Sequence, residues 1–160
     1  MQLTLHADYS LRVLLYLAEN PDRYVSTREI SEAYRISRNH LVRVVQTLQS
    51  HGFVEATEGR TGGVKLSRGP ASINLGKVVR QAEPSFRVVE CFDLETNTCP
   101  IVAACPLRGV LHKALDAFFA VLDEYSLADL TRHQNLAKYL QIKAASPAPR
   151  IQRYDRGGEK

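Results

Sequence analysis

Between Asp8 and Asn20 the apolar residues Leu11, Leu14, Leu15 and Ala18 return every three or four positions, and Pro21-Asp22 ends the run. That period predicts a first helix with one buried face. Ser26-Thr27-Arg28-Glu29 reads as a capping box, in which serine and glutamate satisfy each other's backbone N–H groups, and Ile30 and Ala33 follow on one face of a short helix from Thr27 to Tyr34. Ser37 is a good N-cap. The third helix, Ser37 to about Ser50, buries Leu41, Val44, Val45 and Leu48 and stops at Gly52, which leaves Arg38, Asn39, Arg43, Gln46 and Gln49 facing outward.

After Gly52 the period becomes extended, with Phe53-Val54-Glu55-Ala56-Thr57, a turn at Gly59-Arg60-Thr61-Gly62-Gly63, and Val64-Lys65-Leu66. This is a hairpin with a glycine-rich tip. A further helix from Asn74 to about Glu83 points Leu75, Val78 and Val79 inward. The expected fold class is mainly α with a small β-hairpin, a winged helix-turn-helix over residues 1–83. In that fold the third helix enters the major groove of double-stranded DNA and the wing touches backbone or minor groove.

Residues 84–140 are expected to form a cysteine-bearing loop and a long helix. In that helix Leu107, Leu111, Ala114, Phe118, Val121 and Tyr125 repeat at intervals of four and three, a heptad seam. Val110, Leu115, Phe119 and Leu122 are apolar as well, more surface than one partner covers, so a homodimer contact is expected, the alternative being a helix buried in its own chain. Residues 141–160, rich in Ser, Pro, Arg and Gly, read as a disordered tail.

Composition narrows the class. A chain of 160 residues with 44% hydrophobic and 24% charged residues is one small globular unit, neither disordered nor collagen-like. Its apolar N-terminal stretch is interrupted at Arg12 and runs on only from Val13 to Ala18, short of the roughly 20 residues of a membrane span, so a soluble cytoplasmic protein is expected. The net charge of +4 is unevenly placed. Residues 35–68 carry six basic and two acidic groups, whereas residues 69–140 carry seven and eight. Arg35, Arg38, Arg43, Arg60, Lys65 and Arg68 therefore form a local basic stripe suited to phosphate contact.

Three cysteines, Cys91, Cys99 and Cys105, lie within fifteen residues. An odd number cannot be fully paired within the chain, which fits a reducing compartment. Structural zinc draws on closely spaced pairs such as C-x2-C, and none exists here. A catalytic thiol needs an activating base, and nothing marks His112 or His133 as one, so no enzyme is expected. Thiol redox sensing would use only two of the three. An iron–sulfur cluster accepts loop thiolates at variable spacing, and three of them leave one ligand to come from elsewhere.

These residues resemble a known family. Met1-Gln2-Leu3-Thr4 with Asp8-Tyr9 and Leu11-Arg12, the start Ser37-Arg38-Asn39-His40-Leu41-Val42, the wing Gly62-Gly63-Val64 and the three-cysteine loop are similar to the bacterial winged-helix regulators that include NsrR, IscR and RirA. The likeness extends over residues 1 to about 140. It implies a homodimeric transcriptional repressor that binds a palindromic operator and carries an iron–sulfur cluster, [4Fe-4S] with [2Fe-2S] as the alternative, on Cys91, Cys99 and Cys105. In IscR a histidine three residues after the last cysteine is a ligand, but Arg108 stands there. NsrR-type members take an aspartate of the other subunit from just before the first helix. Asp8 matches that position, whereas the seven-residue gap after Cys91 also occurs in RirA-type iron regulators. The resemblance thus favours nitric oxide as the signal, with an iron-responsive regulator as the rival.

Ser37, Arg38, Asn39, His40, Arg43, Arg60 and Lys65 are the DNA-contact candidates. Glu58 departs from the family, which often has arginine there, and an acid facing phosphates is repelled, so either Arg60 takes over the contact or the wing sits differently. A small iron–sulfur electron carrier is the rival of another class, and it leaves the basic third helix unexplained.

Overall fold

The first helix begins earlier than its apolar stripe suggests. In the computed structural model, which describes residues 2–59, 62–131 and 136–140, α1 spans Leu5–Ala18 and is capped by Thr4, whose Oγ1 accepts from the Ala7 N–H at 3.2 Å. Asp8 therefore lies inside the first turn of α1 rather than before the helix. Helix α2 is Thr27–Tyr34, with the Ser26 hydroxyl accepting from Glu29 N–H. Helix α3 is Arg38–Ser50, capped by Ser37. Between α2 and α3 the chain turns on Arg35, which takes a left-handed conformation (φ 55°) and lets Ile36 N–H reach the Ser31 carbonyl.

The wing pairs β1, Val54–Thr57, antiparallel with β2, Gly63–Leu66, in the register Val54↔Leu66, Glu55↔Lys65, Ala56↔Val64 and Thr57↔Gly63. Val25 adds an isolated bridge to Val64 on the other edge of β2, through bonds of 2.9 and 2.8 Å. Gly63 permits this approach, because a Cβ there would lie 2.7 Å from the Val25 carbonyl oxygen. The hairpin is thus stitched to the segment that leads into α2.

Helix α4, Leu75–Ala82, is capped by Asn74 and buries Leu75, Val78, Val79 and Ala82. A loop follows with a 3-10 turn at Glu90–Phe92, and then α5, Pro106–Asp123. Of the eighteen residues of α5 only Phe119 is buried, against Phe86 and under the Arg80 guanidinium. Arg80 also forms a two-pronged ion pair with Asp123, at 2.6 and 2.7 Å, beside Gly76, where a Cβ would collide with the Asp123 carboxylate. A larger residue at 76 would displace the Asp123 carboxylate and disturb its pairing with Arg80.

After α5 the chain returns. Leu127, in the short helix α6 (Leu127–Thr131), is fully buried in one cluster with Val13, Leu14, Leu17, Leu41, Val44, Phe53 and Ile73. Leu127 N–H donates to the Ile73 carbonyl at 2.8 Å, and Leu75 N–H donates to the Tyr125 carbonyl at 3.0 Å. The segment after the long helix therefore shares the core of the first four helices. A last turn, α7 (Leu136–Tyr139), ends the described chain, and the tail expected to be disordered lies outside it. No helix among the described residues is long and apolar enough to cross a membrane.

Candidate functional site

Two candidate sites lie on different elements. The first is the outer face of α3. Leu41, Val44, Val45 and Leu48 turn inward, so Arg38, Asn39, His40, Val42, Arg43, Gln46 and Gln49 are exposed. Among the described residues Arg38 and Arg43 are in no ion pair or hydrogen bond, and α3 has no acid in its first turn. Its N-terminal N–H groups and Arg38 together favour an anion. Ser37 spends its oxygen lone pair on the His40 N–H at 3.4 Å. The His40 ring lies against Tyr9 of α1, centroids 6.0 Å apart.

The expected basic stripe is narrower than the sequence suggests. Lys65 is paired with Glu55, its cross-strand neighbour, at 3.0 Å, and sits over the Tyr24 ring, whose hydroxyl donates to the same carboxylate. These donors hold the Glu55 carboxyl below the usual carboxylate range, the Lys65 ammonium first. Arg68 is turned onto the Gly52 carbonyl and the Phe53 ring. Arg60 lies outside the described residues. Among the described residues of this stripe, Arg35, Arg38 and Arg43 on the helix-turn-helix are in no ion pair.

The second site is the loop before α5. Cys91, Cys99 and Cys105 are free thiols, all half-buried. Glu90 accepts from both the Thr98 N–H, at 2.5 Å, and the Thr98 hydroxyl, at 2.7 Å, so the residues preceding Cys91 and Cys99 are clasped together. That clasp, the hydroxyl first, holds the Glu90 carboxyl below the usual glutamate range. Cys105 is the N-cap residue of α5, with Pro106 behind it. One turn on, Arg108 Nε donates to the Cys91 carbonyl at 3.1 Å, and Phe92 stacks on His112 with centroids 4.0 Å apart. Thus α5 carries the third cysteine and holds the segment of the first. No three His, Cys, Asp or Glu side chains among the described residues are grouped closely enough for a single metal ion.

Asp8 is not beside these cysteines within one chain. Its carboxylate is engaged by Arg12, at 2.7 and 3.0 Å, and Arg12 in turn lies over the Tyr9 and Tyr34 rings.

Three sets of contacts tie α1 to the elements around it. Thr4 donates through its N–H and its hydroxyl to Glu83 at the end of α4, both at 3.0 Å, which fixes the start of α1 where the cysteine segment departs. His6 Nε2 lies 3.1 Å from Thr47 Oγ1 on α3. Tyr16 donates to Glu29 at 2.9 Å, binding α1 to α2, and burial followed by the neighbouring carboxylate pushes its phenol up to about 12. Sequence reasoning singled out neither Glu90 and Thr98 nor Thr4 with Glu83. The signal available was only adjacency: Glu90 and Thr98 immediately precede Cys91 and Cys99.

Comparison with known proteins agrees with this architecture. Residues 3–133 match the Rrf2 family, described as iron-dependent transcriptional regulators. The chain is 47% identical over 145 residues to the HTH-type transcriptional regulator NsrR of Shouchella clausii (strain KSM-K16), covering 89% of this chain and 97% of that one. It is 46% identical over 145 residues to NsrR of Bacillus subtilis (strain 168), covering 89% and 99%. Among solved structures, CymR (YrzC), the global cysteine regulator of B. subtilis, matches with TM-score 0.68 at 25% identity over 84% of this chain and 99% of its own. IscR of T. potens matches with TM-score 0.66 at 25% identity over 82% and 87%. With a winged helix-turn-helix, an exposed basic reading helix and a match over most of its length, this chain belongs to the Rrf2 family of transcriptional regulators.

Proposed function

We propose that the protein is a homodimeric repressor that binds a palindromic operator and senses nitric oxide through an iron–sulfur cluster held by Cys91, Cys99 and Cys105, with Asp8 of the second subunit as fourth ligand. The observation that carries the reading is the way the cysteine segment is built. The Glu90 clasp and the Arg108 bond hold three unpaired, half-buried thiols in one segment at the head of α5. Thiolates that bind different irons need not converge on one point, so this donor set suits a cluster better than a single ion. Cys105 stands at the N-terminus of α5, so the third thiol is placed by the helix itself. When bound, the group supplies reactivity toward nitric oxide.

The chain's own residues do the rest. Arg108 keeps the Cys91 segment on α5. Asp8, to serve the partner's site, gives up at least one of its contacts with Arg12, and Arg12 keeps its place over Tyr9 and Tyr34 to receive the carboxylate again on release. Asp8 lies on the helix that bears His6, and His6 touches Thr47 of α3, so a pull on α1 is felt by the reading helix. Dimerisation is supported by the exposed stripe Leu107, Val110, Ala114, Ala117 and Val121 on α5, which follows the three-and-four spacing of a helix seam. A complete switch from 1:99 to 99:1 occupancy requires about 5.5 kcal/mol of differential operator binding between the two states.

A second reading, an iron-responsive regulator, is favoured by the description of the matched family as iron-dependent. The deciding experiment is operator binding by anaerobically purified protein, with iron and sulfide quantified, titrated separately with nitric oxide and with an iron chelator. Release by nitric oxide at constant iron supply supports the first reading; release by the chelator alone supports the second. Protein without iron or sulfide that still binds its operator normally would refute both. The Glu90 clasp has its own test: Glu90→Ala is expected to lower iron and sulfide per chain without lowering the melting temperature of the helical unit.

A further inference from the structure

The outer face of α3 contains one residue that the charge argument does not use. Val42 is 45% exposed at the middle of that face, with Arg38 one turn before it, Gln46 one turn after it, and Asn39 and Arg43 alongside. It also forms part of the wall of an open cleft of about 370 Å³ between α3 and the wing, with Gln46, Ala56, Thr57 and Glu58 among its neighbours. Isolated exposed apolar residues are ordinary on protein surfaces. This one differs in position, since its exposed neighbours on α3, Arg38, Asn39, Arg43 and Gln46, are all polar and it sits where a helix in the major groove meets base edges.

We infer that Val42 is a specificity residue that packs its methyl groups against the C5 methyl of a thymine in each half-site. The major groove offers one apolar feature, the thymine methyl, and an apolar side chain on a reading helix has no other base atom to favour it. Arg38 and Arg43 position the helix through charge, and Val42 selects among sequences without altering that charge. The inference rests on the reading of α3 as the helix that enters DNA.

The test is selection from a randomised duplex pool by the full-length protein under anaerobic conditions, followed by binding to the selected duplex with each thymine replaced in turn by uracil, which removes only the methyl group. Wild type is expected to select a symmetric sequence with one thymine per half-site whose replacement weakens binding about fourfold, the loss of one buried methyl-sized contact. Val42→Ala is expected to melt like wild type, to select the same sequence except at that thymine, and to bind thymine and uracil duplexes equally. Val42→Thr, which keeps one methyl group, is expected to retain part of the discrimination. If wild type selects a sequence but tolerates every uracil replacement, or if Val42→Ala discriminates as wild type does, the Val42 assignment is overturned while the DNA-reading role of α3 stands. A wild type that selects no sequence at all overturns both.

Discussion

Replacing Leu127 by alanine tests whether the segment beyond α5 belongs to the core of the DNA-reading unit. Leu127 is fully buried, its N–H is held by the Ile73 carbonyl, and it shares a cluster with residues of α1, α3 and the start of the wing. Truncation removes three carbon atoms from a site walled by helices that cannot easily close. The expected cost is about 3 kcal/mol, within the range of about 2 to 5 for buried leucine truncation. With a urea dependence of about 2 kcal/mol per molar for a unit of this size, the midpoint should fall by about 1.5 M. The thermal midpoint should fall by about 10 °C. The assay is urea denaturation followed by far-UV circular dichroism at one fixed protomer concentration, because association of subunits also contributes to apparent stability. A single transition displaced as a whole is the expected form. A loss below about 1 kcal/mol, or a second transition with the first unmoved, would refute the claim that residues beyond α5 complete this core.

Other predictions follow from the same structure. Arg43→Ala should weaken operator binding and flatten the slope of log affinity against log salt by about one unit, measured by titration at several ionic strengths. Val121→Glu, on the exposed stripe of α5, should shift the protein toward monomer in light scattering after gel filtration while leaving its helical signal intact; an unchanged dimer would remove that stripe from the interface. Tyr16 and Tyr34 have phenols pushed up to about 12, chiefly by burial. Their neutral forms are favoured in the folded state, so the stability they lend is full below pH about 10, where unfolded tyrosine titrates, and is lost as pH rises toward 12. Alkaline denaturation with ultraviolet detection of phenolate should show this loss, and in Tyr16→Phe the fall should be shallower.

The helices were legible because their signals are local. Ser26 and Ser37 each cap the helix expected of them, and the buried stripe of α3 is the one its spacing implies. The start of α1 was misplaced because Leu5, on its first turn, is exposed and contributes nothing to the apolar period, while the true cap, Thr4, is recognised only by its bond to Ala7. Leu127 and Val25 were missed for another reason. Their roles depend on partners far along the chain, Ile73 and Val64, and no periodicity reports such a pairing. The same holds for the chemistry. The three cysteines announce a candidate site by their number, but the clasp between Glu90 and Thr98 is a tertiary fact. Charge counting could not see that Lys65 and Arg68 are engaged by Glu55 and by the Gly52 carbonyl.

The Thr4 and Glu83 contact and the return of the chain at Tyr125 to Leu127 together pin both ends of the cysteine segment to one body. The segment is a handle with two feet, neither of which can lift alone. A protease that cut between Glu95 and Thr98 would therefore yield two fragments that stay together and elute as one, their separation requiring denaturant. Shortening the chain to residues 1–83 would not release a smaller reader of DNA. It would take away Leu127 and open the middle of the fold.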